Sequence, residues 1–281
     1  MKVTYQGPSP QLMPYIRTYY TVRFNMHSAP ADIKVFPVGN PQMIFYKEGE
    51  VTTYIKNNTF FFKEPTLHGH ILQHFKFRIL PESEFTGIAF TPLGMYKLLG
   101  ANANDVRDHI KPLSGFVDNK EYIQKVMQAT SDEEVAAAHD AFFLEKLDAL
   151  YPIPPVIDQC IEDICAVGGE ISVDTLAKKY NCSRRYLEKH FSYSVGNSPG
   201  NFAKRIRFLE VIKILETISP DREQQLSNFD FYNRAHFLKD FRYYLGEDPS
   251  LYFKNTHPLF DIIIRGFYLI IEKRNSEGLL K

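Results

Sequence analysis

A repeat near the C-terminal end of the chain constrains the fold more than any other feature. Residues 183–202 and 233–252 match at a period of about 50. Ser183 pairs with Asn233, Leu187 with Phe237, Phe191 with Phe241, Gly196 with Gly246, Pro199 with Pro249 and Phe202 with Tyr252. Each copy opens on a residue whose side chain can accept from the free N–H groups of a helix start, then sets apolar residues four apart on one face. Each then reaches a Gly able to close the helix in the left-handed region and restarts just before a Pro suited to a first helical turn. The two copies therefore encode the same helix, the same turn and the start of a following helix.

In the first copy a shorter helix precedes this pattern, with Ser172 as cap, Leu176 and Ala177 turned inward and a tight turn at Asn181 and Cys182. That arrangement is a helix-turn-helix. The small Ala177 lets the two helices approach closely, while Leu187 and Phe191 anchor the second. Arg185, Glu188 and Lys189 are left on the opposite face, where a recognition helix presents side chains to the major groove. Arg can bond bidentate to guanine, Lys can meet guanine or phosphate, and Glu can accept from cytosine. The second copy offers Arg234, His236 and Lys239 in the same way, with Asn233 at the cap.

The stretches LAKKYNCSRRYLEKHFSYSVGNSPGNFAKRIRF and FYNRAHFLKDFRYYLGEDPSLYF resemble the paired helix-turn-helix units of the AraC/XylS family of transcriptional regulators. The resemblance implies two recognition helices entering successive major grooves on one face of double-stranded DNA. A linker helix of about Pro199 to Thr217 would join them, with Phe202, Ile206, Leu209, Ile212 and Leu215 on its buried stripe. Upstream, RTYYTVRF, FPVGNPQMIFY and FTGIAFTPLGMYKLL are similar to the N-terminal sensor-like domain of a subgroup of the same regulators. The family further implies a small-molecule effector or protein partner at that domain, contact with the transcription machinery, and a homodimer formed through helices between about Asp118 and Leu150. The chain departs from the family at DREQQLSNFD, which is polar where the first helix of the second unit is usually apolar, and at Asp230, where a turn Gly is usual.

The N-terminal half reads differently. Short apolar or alternating runs at 42–46, 75–79 and 85–90 have the period of strands, and turn residues separate them at 37–41, 47–50, 57–58 and 81–83. After Pro92 the period becomes helical, and Ser131 with Glu134 has the spacing of a capping box ahead of a helix to about Leu150. Three prolines between Tyr151 and Pro155 interrupt the helical pattern. A new helix then runs to about Val167, ahead of Gly168 and Gly169. The expected fold is α+β: an antiparallel, barrel-like β-rich sensor or dimerisation domain with helices at 1–150, an all-α DNA-binding domain at 154–254, and an extension at 255–281.

Charge sharpens this reading only locally. The 33 Lys and Arg balance the 33 Asp and Glu, which excludes a polybasic coat. Between Glu170 and Lys254 basic residues exceed acidic ones by about three. Lys204 and Arg205 are candidates for phosphate contact or for salt bridges within the domain, and Arg207 for a structural role. Cys160, Cys165 and Cys182 are odd in number and lack disulfide or zinc spacing, and MKVTYQGPSP has no apolar leader. A reduced, cytoplasmic protein is expected. The run Leu259–Ile271, broken by Asp261 and Arg265, is shorter than the ~20 residues of a membrane span.

Two rival readings stand beside the regulator. One is a protein-interaction module that keeps the helix-turn-helix scaffold without specific DNA binding, which the altered second unit permits. The other is a metal-dependent enzyme using His68, His70 and His74, whose spacing is superficially that of metal ligands but has no carboxylate at the nearby spacing. No nucleophile–base pairing or phosphate-binding glycine loop accompanies them, so the chain reads as a non-enzyme without a cofactor.

Overall fold

Burial alternates along FKFRI at 75–79, and this is the pattern of a strand with one face on a core. The computed structural model describes residues 1–25, 30–35, 40–55, 58–72, 74–217 and 234–252. Its N-terminal half holds β1 (Lys2–Gln6), β2 (Ile16–Arg23), β3 (Ala31–Val35), β4 (Gln42–Glu48), β5 (Val51–Ile55), β6 (Asn58–Phe62), β7 (Thr66–His68), β8 (Phe75–Ile79), β9 (Glu84–Phe90) and β10 (Ile110–Pro112). They form two sheets, ordered β1-β2-β9-β4-β7-β10 and β3-β8-β5-β6. All the pairings are antiparallel.

The middle of the larger sheet is buried on both faces, and this is why β4 reads as an unbroken apolar run rather than an alternating one. Met43 and Phe45 face a core shared with helices, while Ile44 and Tyr46 face the core under the smaller sheet. The helical side is built by α1 (Gly94–Leu99), α2 (Ala103–Val106), α3 (Lys120–Gln128) and α4 (Asp132–Leu144). Tyr122, Val126, Phe142 and Phe143 pack inward there against Tyr19, Phe45 and Phe90. The barrel-like expectation is corrected by this layering: both sheets are open, ending at β1, β10, β3 and β6. Sequence periodicity identifies strands, whereas closure depends on whether the outermost strands meet, and here they do not.

At the start of α4, Ser131 Oγ accepts from the Glu134 N–H at 3.2 Å. The Glu134 carboxylate reaches back one residue further than a capping box requires, to Thr130 N and Oγ1 at 2.7 and 3.0 Å. The helix stops at Leu144, and a single 3-10 turn over Leu147–Ala149 replaces its expected last turn.

The C-terminal half is α5 (Pro155–Ala166), α6 (Val173–Lys179), α7 (Arg184–Val195), α8 (Pro199–Thr217), α9 (Arg234–Leu245) and α10 (Pro249–Tyr252). Ile157, Cys160 and Ile164 of α5, Leu176 and Ala177 of α6, Leu187, Phe191 and Val195 of α7, and Phe202, Ala203 and Ile206 of α8 form one core, which Leu93 joins from just before α1. Chain 151–154 belongs to no helix or strand and is tied back to the N-terminal half. Tyr151 N–H donates to the Lys97 carbonyl at 2.9 Å, Tyr96 Oη to that of Pro152 at 3.1 Å, and Lys97 Nζ meets Asp158 at 2.7 Å. Asn233, the polar stretch 221–230, Asp230 and the segment 255–281 lie outside the described residues, as do the side chains of Ile212, Leu215, Arg234 and His236. Among the described residues no helix is long and apolar enough to cross a membrane.

Candidate nucleic-acid interface

The first unit follows from its caps. Ser172 accepts from the Thr175 N–H at 3.0 Å to begin α6. Asn181 takes a positive φ of 47° in the turn, a conformation Asn tolerates because its short side chain can bond locally. Ser183 then accepts from the Tyr186 N–H at 3.1 Å to begin α7. Leu187, Phe191 and Val195 are fully buried, and this fixes the rotation of α7 about its axis. Arg185 and Lys189, one turn apart, are consequently exposed and have no ion-pair partner among the described residues. Arg185 lies in the first turn of α7, beside the partially positive helix N-terminus, and Lys189 extends that anion-attracting surface by one turn.

The third residue expected on that face is already engaged. Arg184 Nε donates to Glu188 Oε1 at 2.9 Å, and Arg184 Nη1 lies 3.7 Å from Asp174 of α6. Neutralised in this way, Glu188 does not oppose the charge of Arg185 and Lys189. The (i, i+4) spacing of Arg184 to Glu188 is the sequence signal for this pair. Tyr186, exposed beside Arg185 with its ring 4.4 Å from that of His190, was not singled out in the sequence.

The second unit repeats the framework with different surface chemistry. Phe241, Leu245 and Tyr252 are buried, and Phe208 of α8 meets Phe241 at 5.9 Å and Tyr244 at 4.7 Å. Lys239 is exposed. Its neighbours are paired: Asp240 takes Lys204 at 3.1 Å, and Arg242 meets Asp248 at 2.6 Å. Lys204 is thus an intradomain salt-bridge residue that pins α8 to α9.

Arg205 requires a correction. It is only 2% exposed, so it cannot serve as the surface phosphate contact expected of it. Its guanidinium lies over the Phe202 ring at 5.1 Å, and Nε and Nη1 are buried without a hydrogen-bond partner. Burial lowers its pKa to about 10. The signal was present in the sequence, since Phe202, Arg205, Ile206 and Leu209 follow the i, i+3, i+4, i+7 pattern of one face. Arg207 is the surface residue of the pair, 3.7 Å from Glu170.

The three histidines are dispersed. His68 ends β7 and is held by Thr66 Oγ1 at 2.9 Å and Tyr46 Oη at 3.3 Å, with burial lowering its pKa to about 3. His70 is buried in the following loop, so the two do not share a strand. His74 lies just before β8, against the second unit: a Cβ on Gly246 would overlap its ring. Among the described residues no three metal-binding groups converge. Burial also raises the pKa of the Cys160 thiol to about 12, making it a packing residue.

Residues 5–112 match a family described as a domain of unknown function (DUF6597). The chain is 30% identical over 84 residues to the HTH-type transcriptional activator AarP of Providencia stuartii, a match covering 30% of this chain and 62% of that protein. Among solved structures, ToxT from Vibrio cholerae aligns with 15% identity and a TM-score of 0.48, over 83% of this chain and 97% of its own. The AraC-like transcriptional activator CuxR aligns with 12% identity and a TM-score of 0.27, over 74% and 85%.

Proposed function

We propose that this chain, a member of the AraC/XylS family, is a sequence-specific DNA-binding transcriptional regulator that reads DNA chiefly through α7. The observation that carries this reading is the pair Arg185 and Lys189, exposed and without an ion-pair partner among the described residues, on the face opposite three fully buried anchors. Arg185 suits a guanine edge and Lys189 a guanine or a phosphate. Lys239 contributes in the adjacent groove, together with Asn233, Arg234 and His236.

Regulation enters through the N-terminal half, which touches both units. Ser192 Oγ donates to Asn104 Oδ1 at 2.7 Å at the end of α7, and Lys34 of β3 lies 3.4 Å from Glu247 just after α9. An effector or protein partner at the sheets acts by favouring one arrangement of these contacts over another, because equal affinity for both shifts nothing. A homodimer and contact with the transcription machinery complete the reading, with action in the cytoplasm.

The test is selection of bound fragments from sheared source-genome DNA, with Arg185→Ala/Lys189→Ala alongside and salt varied. A shared motif recovered by the wild type and lost in a folded double variant is expected, with affinity falling about 0.9 log units per log unit of salt for each phosphate contacted. Recovery of the same motif by the double variant would remove α7 from its assigned role. The interaction-module reading draws on the second unit, where Lys204 and Arg242 are already neutralised. It predicts salt-insensitive capture of a protein and no recovered DNA motif.

A further inference from the structure

Two side chains that follow Lys189 on the outward face of α7 are held by the N-terminal half. Ser192 Oγ donates to Asn104 Oδ1 of α2 at 2.7 Å, and the Tyr193 ring meets that of Tyr96 of α1 edge-on at 5.4 Å. Arg185, Lys189, Ser192 and Tyr193 stand at i, i+4, i+7 and i+8, the spacing of one helical face. It is the face turned away from Leu187, Phe191 and Val195, which are fully buried. We infer that α1 and α2 form an autoinhibitory clamp: they cover the C-terminal part of the stripe that α7 must lay in the major groove, so this arrangement holds the first unit off DNA. The inference rests on the reading of α7 as the recognition helix, and it gives the regulation of that helix a sign.

The clamp is firmly seated in the N-terminal half. Tyr96 is largely buried and its Oη donates to the Pro152 carbonyl at 3.1 Å, which fixes the ring that Tyr193 meets. Ala103 and Val106 of α2 are fully buried, and Asn102 caps that helix by accepting from the Asn104 N–H at 3.1 Å. Gly196, with a φ of 76°, lets the end of α7 approach so closely that a Cβ there would lie 2.9 Å from the Ala103 carbonyl oxygen. The major groove is ~12 Å wide and ~8.5 Å deep, room for one α-helix of ~10–12 Å diameter with its side chains. At ~1.5 Å per residue, Ser192 and Tyr193 lie only ~4.5 and ~6 Å along the axis from Lys189. When α7 lies in the groove with Lys189 at a base edge, both are still inside it, and no second helix fits against them. Arg185 and Lys189 are themselves exposed, so the clamp leaves the reading residues open and obstructs the helix that carries them. Binding therefore requires α1 and α2 to withdraw, and the apparent affinity falls with the fraction of molecules in which they have done so.

The test is a mobility-shift titration of the full chain on DNA recovered by genomic selection. Asn104→Leu removes the acceptor without adding charge and should tighten binding about fivefold, the effect of losing one net hydrogen bond from the closed form. Asn104→Cys/Ser192→Cys, in a Cys165→Ser/Cys182→Ser background, places two thiols where the bonded oxygens lie 2.7 Å apart. Oxidised, this variant is locked closed and should bind about tenfold or more weakly than when reduced, with an unchanged circular dichroism spectrum. Reduction should restore binding to at least the wild-type level. Equal affinity in the oxidised and reduced forms would overturn the clamp, as would an Asn104→Leu variant that binds no tighter than the wild type. If no form binds any fragment, the reduced one and Asn104→Leu included, the reading of α7 itself falls and the inference falls with it.

Discussion

The two helix-turn-helix units share a local code and differ in what surrounds it. Gly196 and Gly246 close α7 and α9 with φ of 76° and 68°, and Pro199 and Pro249 restart the chain three residues later in both. α7 is joined to the N-terminal half by close packing: a Cβ on Gly196 would press on the Ala103 carbonyl, and Leu93 is part of the core that buries Leu187 and Phe191. Among the described residues, the end of α9 meets the same half where His74 lies against Gly246 and Lys34 pairs with Glu247. Outward, α7 presents unpaired cations, whereas Lys204 and Arg242 around α9 are matched by Asp240 and Asp248. A repeated sequence pattern thus determines a repeated backbone. Charge and docking are set by neighbours far away in the chain, and these leave the first unit packed against the N-terminal half with free outward cations and the second more lightly held with its cations matched.

The sharpest way to break this comparison is to remove the outward cations of each unit in turn. Arg185→Ala/Lys189→Ala should weaken specific DNA binding by on the order of 100-fold, since each good base contact is worth about 1–3 kcal/mol. Lys239→Ala should cost less than tenfold on the same fragment in a mobility-shift titration. Equal losses from the two variants would mean that the units read DNA alike.

Next in size are the two glycines. Either Gly→Ala places a side chain in the left-handed region at a cost of about 1–2 kcal/mol. Gly196→Ala should be the worse, because its Cβ meets the backbone of Ala103, while that of Gly246 meets a His74 ring that can turn aside. Thermal unfolding should show the larger fall in Tm for Gly196→Ala, and a greater fall for Gly246→Ala would reverse the ranking of the two docking surfaces.

Arg205 yields a smaller effect and shows what was legible beforehand. The repeat located α7, the start of α8 and the glycine caps, because these depend on neighbours within about one helical turn, and the family resemblance implied the extent of α8. β4, β8 and β9 were legible for the same reason. The opening of the sheets was not, since it depends on whether strands such as β1 and β10 meet. The pairing of Lys204 with Asp240 was also hidden, because it joins residues brought together only by the tertiary fold. Arg205 lay between: its heptad-like spacing from Phe202 marked it as buried, but its charge suggested surface. Arg205→Met should leave stability unchanged or raise it, because a well-packed apolar side chain often replaces a buried charge without loss. It should also leave the salt slope of DNA binding unchanged. A slope smaller by about 0.9 would show that Arg205 does reach a phosphate.

The smallest expected effect probes the second unit's docking alone. Burial first, and then Lys34 and Lys76, hold the His74 pKa below its ordinary value, against the opposing influence of Glu247 and a backbone hydrogen bond with Tyr243. The docked state therefore binds fewer protons than the undocked one. Docking is complete above the ordinary histidine value of about 6.5 and weakens as pH falls below it, until the depressed pKa is passed. Because His74 is only half-buried, solvent reduces the penalty, and opening should rise about a few-fold between pH 7.5 and 5.5. Amide hydrogen exchange, corrected for intrinsic rates, should show protection falling over Tyr243–Glu247 while that of Ser192–Gly196 holds. The control is His74→Gln, which cannot gain the charge and should lose the response. If the variant keeps it, the pH dependence belongs to another group, and the imidazole contact is not what holds the second unit to the sheets.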